Sequence, residues 1–448
     1  MISKIANIFK VKDLRKKVLF TLALLIVYRL GGQVMIPGFA SMESVLDFTR
    51  GTGSEAGIKD GILSLYDQFV GGFLSQASIF TLGIMPYISA SIVIQLMTAV
   101  VPYFQRLKKE GAEGNKKIIQ LTRYGTVIIA VFQSFGLAAY FWSIKGDTGN
   151  FIVLESSTLF FFVTVLTLVT GTIFVMWLGE QITDYGIGNG ISLIITVGIL
   201  AAAPNTFGAL FSSMYEDPEG KLLFGIVLII LLVLITMFVV LLTSAQRKIP
   251  VQFAKRVVGR KVYGGQASFI PLKILTAGVM PIIFAQALMF LPGLIAQLSG
   301  WDFLTVIFAA THPVYTVCFA ILIIVFTYFY TAIAFNPVDV ADNMKKQGGF
   351  IPGVRPGKPT AEFLDNILTR VTLPASIALA FIAIIPTLVN QIGNVDIMLS
   401  YFFGGTSIII AVGVALDTMQ QIEGQLVSRH YDSFLKTGKI KGRSKNRY

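Results

Sequence analysis

Hydrophobic residues fall in long blocks along the chain, separated by short segments rich in glycine, proline and charged residues. A block of about 20 apolar residues is long enough to cross the hydrocarbon core of a bilayer as an α-helix. Lipid offers the backbone no hydrogen-bond partner, so helices are the expected form of these blocks. The pattern predicts an all-α polytopic membrane protein with ten transmembrane helices, near 18–36, 76–101, 119–142, 157–178, 187–206, 221–243, 270–296, 313–335, 371–391 and 402–423.

The composition agrees with a membrane protein. Of the 448 residues, 54% are hydrophobic and 13% are charged, and the mean hydropathy is +0.74. A soluble domain carries about 25% charged residues. The first block is not expected to be a cleaved signal peptide, because it lacks a small-residue cleavage site and nine more blocks follow it.

Lysine and arginine lie mostly on one side of the predicted membrane. If the N-terminus is cytoplasmic, the inner segments hold 31 of the 36 Lys and Arg residues. The outer loops then hold only Arg50, Lys59, Lys145 and Lys221. Cytoplasmic loops carry the excess of these residues in membrane proteins, so both termini are predicted to be cytoplasmic.

The ten predicted spans divide into two sets of five. Because five is odd, the second set begins on the opposite side of the membrane, as in an inverted repeat with a passage between its halves. We predict an N-terminal half over 1–206, an external hinge loop over 207–220 and a C-terminal half over 221–448.

Two basic inner loops are longer than a helix hairpin needs. One contains QRKIPVQFAKRVVGRKVYGGQ (246–266), and the other, from 335 to 370, contains FIPGVRPGKPT (350–360). Prolines and glycines surround Arg355 in the second loop, which is typical of a shaped, exposed turn. Such loops favour a docking surface for a large or anionic partner, although basic residues that only set the topology are the alternative.

The chain carries few groups suited to catalysis or metal binding. Cys318 is its only cysteine and it has two histidines, which argues against a disulfide framework, zinc or haem. The predicted spans are almost free of ionisable residues, apart from Arg29 and Asp417. No metalloprotease, P-loop or serine-hydrolase motif occurs. We predict no enzymatic activity, no metal and no cofactor.

Two neighbouring segments are unusual for a plain helical bundle. TLGIMPYISASIVIQLMT (81–98) places neutral polar residues in an apolar helix, which fits either helix–helix contacts or a helix beside an aqueous passage. ILSLYDQFVGGFLSQ (62–76) is apolar, too short to span and broken by two glycines. It either rests on the outer surface or folds back into the protein.

Six motifs occur in a fixed order along the chain: ASIFTLGIMPYISASIVIQLM, LTRYGT, GEQITDYGIGNGISL, QRKIPVQFAKRVVGR, FNPVDVADNMKKQGGFIPGVRPGKPT and FFGGTS. In this order and spacing they resemble the SecY family of bacterial protein-conducting channels, from about Asn7 to Gly442. The resemblance implies two inverted five-helix halves around a central hourglass pore, with a lateral gate to lipid. It implies a channel that translocates unfolded preproteins across the cytoplasmic membrane and releases hydrophobic segments laterally into it.

The resemblance also implies roles for particular residues. The pore ring would be Ile84, Ile88, Ile195, Ile283 and Ile410. A plug outside the ring would contain Ile62, Leu63, Leu65, Tyr66, Phe69, Val70, Gly71 and Gly72. The lateral gate would be bordered by Ser89, Gln95 and Leu291. Docking of SecA or the ribosome would involve Lys248, Arg256, Arg260, Lys261 and Arg355.

Two residues depart from relatives near the plug. Gln76 stands where some bacterial members have a basic residue, and Phe73 replaces a smaller one. The packing of the plug is therefore expected to differ in detail.

The partners implied by the resemblance are the SecE and SecG subunits, the SecA motor ATPase, the ribosome, preproteins with their signal sequences, and the lipid bilayer. The implied location is the bacterial cytoplasmic (inner) membrane. A secondary transporter of a small solute is the main alternative, but it would need charged or strongly polar ligands at the midplane. A passive scaffold would explain the basic loops but not the polar second span.

Overall fold

The structure is a computed structural model that describes residues 11–39, 62–148, 156–216, 221–253, 256–258, 261–263, 267–299, 312–393, 402 and 405–437. Most of these residues are helical. In chain order the helices are α1 (Lys12–Gly31), α2 (Ile62–Val70), α3 (Met85–Val100), α4 (Pro102–Lys109), α5 (Ala112–Thr148), α6 (Ser157–Tyr185), α7 (Gly190–Ala201), α8 (Ala203–Glu216), α9 (Lys221–Ser244), α10 (Met280–Ser299), α11 (Pro313–Ala334), α12 (Pro337–Lys346), α13 (Lys358–Gly393) and α14 (Thr406–Thr437). The strands are β1 (Gln246–Phe253), β2 (Arg256–Val258), β3 (Lys261–Tyr263), β4 (Ala267–Lys273) and β5 (Gly349–Phe350).

Several helices are long and apolar enough to cross a membrane. Within the described part of the chain there are six, or seven if α3 and α4 count as one span. These two helices meet at an angle of 95°. Their junction is Val101–Pro102, where the residue before a proline disfavours helical backbone. The ten-span count remains a prediction.

The helix boundaries differ from the predicted spans in several places. The first helix runs from Lys12 to Gly31 rather than over 18–36, and α3 begins at Met85 rather than near 76. Residues 71–84 form turns instead of helix, with positive φ at three glycines. The seventh predicted span begins at 270, whereas α10 begins at Met280, because Ala267–Lys273 is a strand.

The external hinge predicted over 207–220 is partly helical. Helix α8 covers Ala203–Glu216 and follows α7 after a single intervening residue. The fifth apolar block therefore continues beyond its predicted end at 206. Residues 217–220 lie outside the described residues.

The turn that begins the fifth span follows the sequence closely. GIGNG (186–190) forms a tight turn, in which the backbone of Gly188 has φ +84°. The side chain of Asn189 accepts hydrogen bonds from the N–H groups of Ile191 and Ser192, which caps the start of α7.

The centre of the bundle is built around α2 and the turns that follow it. Phe73, Leu74, Ala77 and Leu82 are fully buried there. These residues belong to one continuous apolar core with side chains from both ends of the sequence. The short segment 62–76 is therefore folded back into the protein.

A small sheet joins the two long basic loops. Strand β1 pairs antiparallel with β4 from Gln246 opposite Lys273 to Gln252 opposite Ala267. Strand β5 of the second loop pairs with the end of β1, where Gln252 lies opposite Phe350. The sheet covers an apolar cluster of Ile249, Val251, Leu272, Met344, Ile351 and Leu364. The sequence predicted ordered loops here but not these strands.

Candidate functional site

Four of the five predicted ring isoleucines meet at the centre of the bundle. Ile84 and Ile88 lie at the start of α3, Ile195 on α7 and Ile283 on α10. All four line one cavity of about 10 Å³. Such a volume is on the order of a single water-sized probe, so the constriction is closed to continuous water.

The fifth residue, Ile410, occupies a different position. It is fully buried on α14 and belongs to the same apolar core. It is not among the residues that line the small cavity. Its assignment to the ring stays a prediction.

Helix α2 closes the constriction from one side. Phe69 and Val70, at its C-terminal end, line the same cavity as the four isoleucines. The ring of Tyr66 stacks on Phe290 of α10, with the ring centroids 4.2 Å apart. Aromatic pairs stabilise a contact beyond its buried area by about 1 kcal/mol. Side chains at Ile62, Leu63 and Leu65 lie outside the described part of the structure.

The chain leaves α2 through a turn that only glycine fits. Gly71 has φ +87°, and a Cβ built on it would lie 2.8 Å from the Cα of Gly198 on α7. The Oδ1 atom of Asp67 accepts hydrogen bonds from the backbone N–H groups of Leu74 and Ser75, at 2.8 and 3.0 Å. Burial raises the pKa of the Asp67 carboxyl group, and these hydrogen bonds oppose the shift. Directly after α2, the backbone of Gly71 therefore packs against the backbone of Gly198 on α7.

The two residues expected to depart from relatives both lie in this region. Phe73 is fully buried and packs edge-on against Tyr28, whose ring also stacks on Phe80. Gln76 is half-buried, and its Oε1 atom has no hydrogen-bond partner within the described residues. The larger side chain at 73 therefore fills the space between α1 and the turns after α2.

Sequence reasoning missed polar groups around the constriction. Gln286 of α10 lines the cavity, and its buried Oε1 atom has no hydrogen-bond partner in the described part of the chain. On α2, the Tyr66 hydroxyl and Nε2 of Gln68 are also buried without a hydrogen-bond partner among the described residues. No sequence pattern marked these polar groups.

The helices of the predicted lateral gate are neighbours. Helix α3, which carries Ser89 and Gln95, packs against α10, which carries Leu291. Ser89 is buried, and the Nε2 group of Gln95 donates to the hydroxyl of Ser91 at 3.0 Å. The side chain of Leu291 lies outside the described part of the structure. The contact between α3 and α10 is what a gate at this seam requires.

Arg355 lies at the exposed tip of the second basic loop. Gly353 and Gly357, on either side of it, have φ +85° and +105°. The hydroxyl of Thr360 donates to the carbonyl of Arg355 at 2.8 Å, and Val354 donates its N–H to the carbonyl of Ile351. The backbone at the tip is thus fixed while the guanidinium points into solvent.

The other predicted docking residues lie on the first basic loop. Lys248 on β1 holds its Nζ atom 5.0 Å from the centroid of the Phe269 ring. Arg256 lies on β2 and Lys261 lies on β3, and their side chains lie outside the described part of the structure. Arg260 lies outside the described residues.

An ion pair joins two of the membrane helices. Arg123 on α5 forms a bidentate pair with Glu180 on α6, through bonds of 2.9 and 2.7 Å. Among the described residues, no group of three or more His, Cys, Asp or Glu side chains is placed to hold a metal ion.

The fold and its centre define a class of protein: a helical membrane bundle with an apolar constriction sealed by a short internal helix. The SecY family model matches residues 78–419. The protein translocase subunit SecY of Streptomyces galbus is 45% identical over 446 residues, covering 97% of this chain and 100% of that protein. The subunit of the same name from Escherichia coli K12 is 43% identical over 441 residues, covering 96% of each chain. The chain belongs to the SecY family and is a multi-pass membrane protein.

Solved structures share this fold. One described as "The structure of a protein conducting channel" has a TM-score of 0.63 at 17% identity, covering 93% of this chain and 94% of that one. A Sec61 chain from a canine ribosome–channel complex has a TM-score of 0.58 at 16% identity, covering 93% and 94%. At such low identity these likenesses establish the fold alone.

Proposed function

We propose that this chain is a protein-conducting channel. Unfolded preproteins cross the membrane through the isoleucine constriction, and hydrophobic segments leave sideways between α3 and α10. The observation that carries this proposal is the cavity of about 10 Å³ where Ile84, Ile88, Ile195 and Ile283 meet the end of α2. Relatives named as translocase subunits, aligned over nearly the whole chain, support it.

The chemistry of the constriction suits a channel for chains of any sequence. A narrow ring of aliphatic side chains excludes water and ions without any specific ligand. The same side chains can move apart around a polypeptide, because they make no directional bonds that must be broken. A permanent charge among the side chains that line the constriction would instead bind some segments and repel others.

A secondary transporter fits the site less well. Transporters bind their solute near the midplane with polar or charged groups. Here the small cavity is lined mainly by apolar side chains, with Gln286 and Tyr28 as its polar members. A cavity of about 10 Å³ leaves no room for a solute.

The same proposal includes the number, arrangement and orientation of the membrane spans. Ten spans would form two inverted halves around an hourglass pore, with both termini in the cytoplasm and the membrane being the bacterial cytoplasmic membrane. Helix α2 would act as the plug. The distribution of Lys and Arg along the sequence supports this orientation.

The proposed partners act at different faces of the channel. SecE and SecG would pack against its membrane helices. SecA or the ribosome would dock on the basic loops that β1, β4 and β5 join. The ribosome complexes of Sec61 and Ssh1, which share the fold, support the ribosome as a partner.

Reconstitution tests the function directly. We expect the chain, purified with SecE and SecG and placed in liposomes, to import a signal-bearing preprotein only when SecA and ATP are present. Protease protection of the preprotein is the measurement, and omission of ATP is the control. Uptake of small solutes without SecA or preprotein would favour the transporter and contradict the channel.

The seam between α3 and α10 gives a second test. In a Cys318→Ser background, we expect Ser89→Cys combined with Leu291→Cys to form a disulfide in the resting channel. Such a bond requires Cα atoms within about 7 Å of each other. Oxidation should stop preprotein import and reduction should restore it, while each single cysteine variant should be insensitive. An absent crosslink in a well-folded channel would mean that these two residues do not face each other.

A further inference from the structure

Arg29 is a charged residue in an otherwise apolar part of α1. Its Nη1 group donates a hydrogen bond of 2.8 Å to the carbonyl of Gly71, the residue directly after α2. Its guanidinium carbon lies 5.1 Å from the centroid of the Phe73 ring. Ionisable residues at membrane depth are rare and usually functional. Arg29 belongs neither to the isoleucine ring nor to the seam between α3 and α10.

The residue beside it contacts the same segment. The hydroxyl of Tyr28 donates to the carbonyl of Val70, the last residue of α2, at 3.3 Å. Two carbonyl groups at the C-terminal end of α2 thus accept hydrogen bonds from adjacent residues of α1. The C-terminus of a helix carries partial negative charge, so a guanidinium is favourable there. Hydrogen bonds from charged donors are also stronger than neutral ones.

The bond from Arg29 holds the chain at Gly71, which follows α2 and has no side chain to pack. Gly71 lies against Gly198, and the φ angle of +87° excludes a larger residue. Side-chain packing instead acts earlier in the helix, where Tyr66 stacks on Phe290. The C-terminal end of α2 also lines the closed constriction through Phe69 and Val70.

We propose that Arg29 is a positioning residue that latches α2 in the closed channel. This proposal rests on the proposed function of the chain as a channel. The latch determines how readily α2 leaves the constriction, and hence how strong a signal sequence must be to open the channel. Arg29 is not among the residues that line the isoleucine cavity, so its substitution changes the closed-to-open equilibrium without changing the ring itself.

Arg29→Met tests the latch, because methionine removes the donors and the charge but keeps an unbranched side chain. Losing a hydrogen bond from a charged donor at a half-exposed site corresponds to about a tenfold shift in an equilibrium. We expect the resting ion conductance of channels in planar bilayers to rise by about that factor. Export of a preprotein with a weakened signal sequence should rise as well.

Matched variants separate the latch from a general effect of charge. Arg15→Met removes the same charge from an exposed position on α1 and should leave the conductance at the wild-type level. Tyr28→Phe removes only the neutral hydrogen bond and should cause a smaller rise. Arg29→Lys keeps a cation and a donor and should fall between wild type and Arg29→Met. If the Arg29→Met protein does not accumulate in the membrane, Tyr28→Phe and Arg29→Lys test the proposal in its place.

A double variant distinguishes a latch from a merely structural residue. If Arg29 acts through α2, then Arg29→Met should add nothing to the conductance of a channel that lacks residues 62–72. A further rise in that background, or unchanged conductance in Arg29→Met alone, would overturn the latch. Failure of the wild-type channel to import preprotein would instead overturn the proposed function, so the two failures are distinguishable.

Discussion

Arg355→Glu is expected to abolish SecA-driven export while leaving a folded, membrane-inserted channel. The tip backbone is fixed by its own hydrogen bonds, including that from Thr360 to the carbonyl of Arg355, and these do not involve the guanidinium. The side chain is exposed and presents five donors in a planar fork that suits carboxylates, carbonyls or phosphates. Reversal of its charge should therefore affect docking and not folding.

The neighbouring lysine provides the matched control for Arg355. Lys358 is also exposed and carries the same charge three residues further on. If the tip only contributes positive charge to the inner face, Arg355→Glu and Lys358→Glu should have equal and small effects. If Arg355 docks the motor, Arg355→Glu should remove both preprotein import and the stimulated ATPase of SecA, and Lys358→Glu should remove little. Arg355→Lys should also be impaired, because an ammonium cannot reproduce the fork.

Deletion of residues 62–72 is expected to raise the resting ion conductance more than any single substitution. The deletion removes Phe69 and Val70 from the constriction and the stack of Tyr66 on Phe290. The isoleucine ring then remains as the only barrier, and its side chains separate readily because nothing seals them from one side. Single-channel recording in planar bilayers measures the effect.

A linker of the same length controls for the shortened chain. Replacement of residues 62–72 by a flexible glycine–serine segment should leak as the deletion does, because it cannot stack on Phe290 or fill the cavity. Both channels should still import preprotein when SecA and ATP are supplied. Resting conductance at the wild-type level in both would show that α2 does not seal the constriction.

Much of the helical fold follows from local sequence, because a long apolar block has few other stable forms in lipid. The turn at 186–190 and the exposed tip at Arg355 follow from glycine and proline positions, whereas the sequence left open whether 62–76 folds back into the protein. The region 71–84 is different. It is as apolar as a span but forms buried turns, since positive φ at glycines and the bonds to Asp67 favour turns over helix. Hydropathy alone does not distinguish a buried turn from a membrane helix.

The candidate site depends on distant parts of the chain and is only partly visible in the sequence. Ile84, Ile195 and Ile283 are each about a hundred residues apart, and only the packing of α3, α7 and α10 brings them together. The family resemblance indicated these residues, whereas their spacing does not. Tyr28 and Arg29 were not assigned to the plug, because their partners are backbone carbonyl groups that no residue pattern reveals.

The sheet between the basic loops has unequal mechanical strength along its length. Strands β1 and β4 are paired over seven positions, whereas β1 and β5 are paired over two. A load applied along the longer pair is shared by many hydrogen bonds at once, and the shorter pair has few to share it. A partner that pulls on the tip would therefore detach β5 first and leave the β1–β4 arm intact. Under such a load the tip is expected to yield first, and the β1–β4 arm, which lies between α9 and α10 in the chain, is expected to carry the force to these helices.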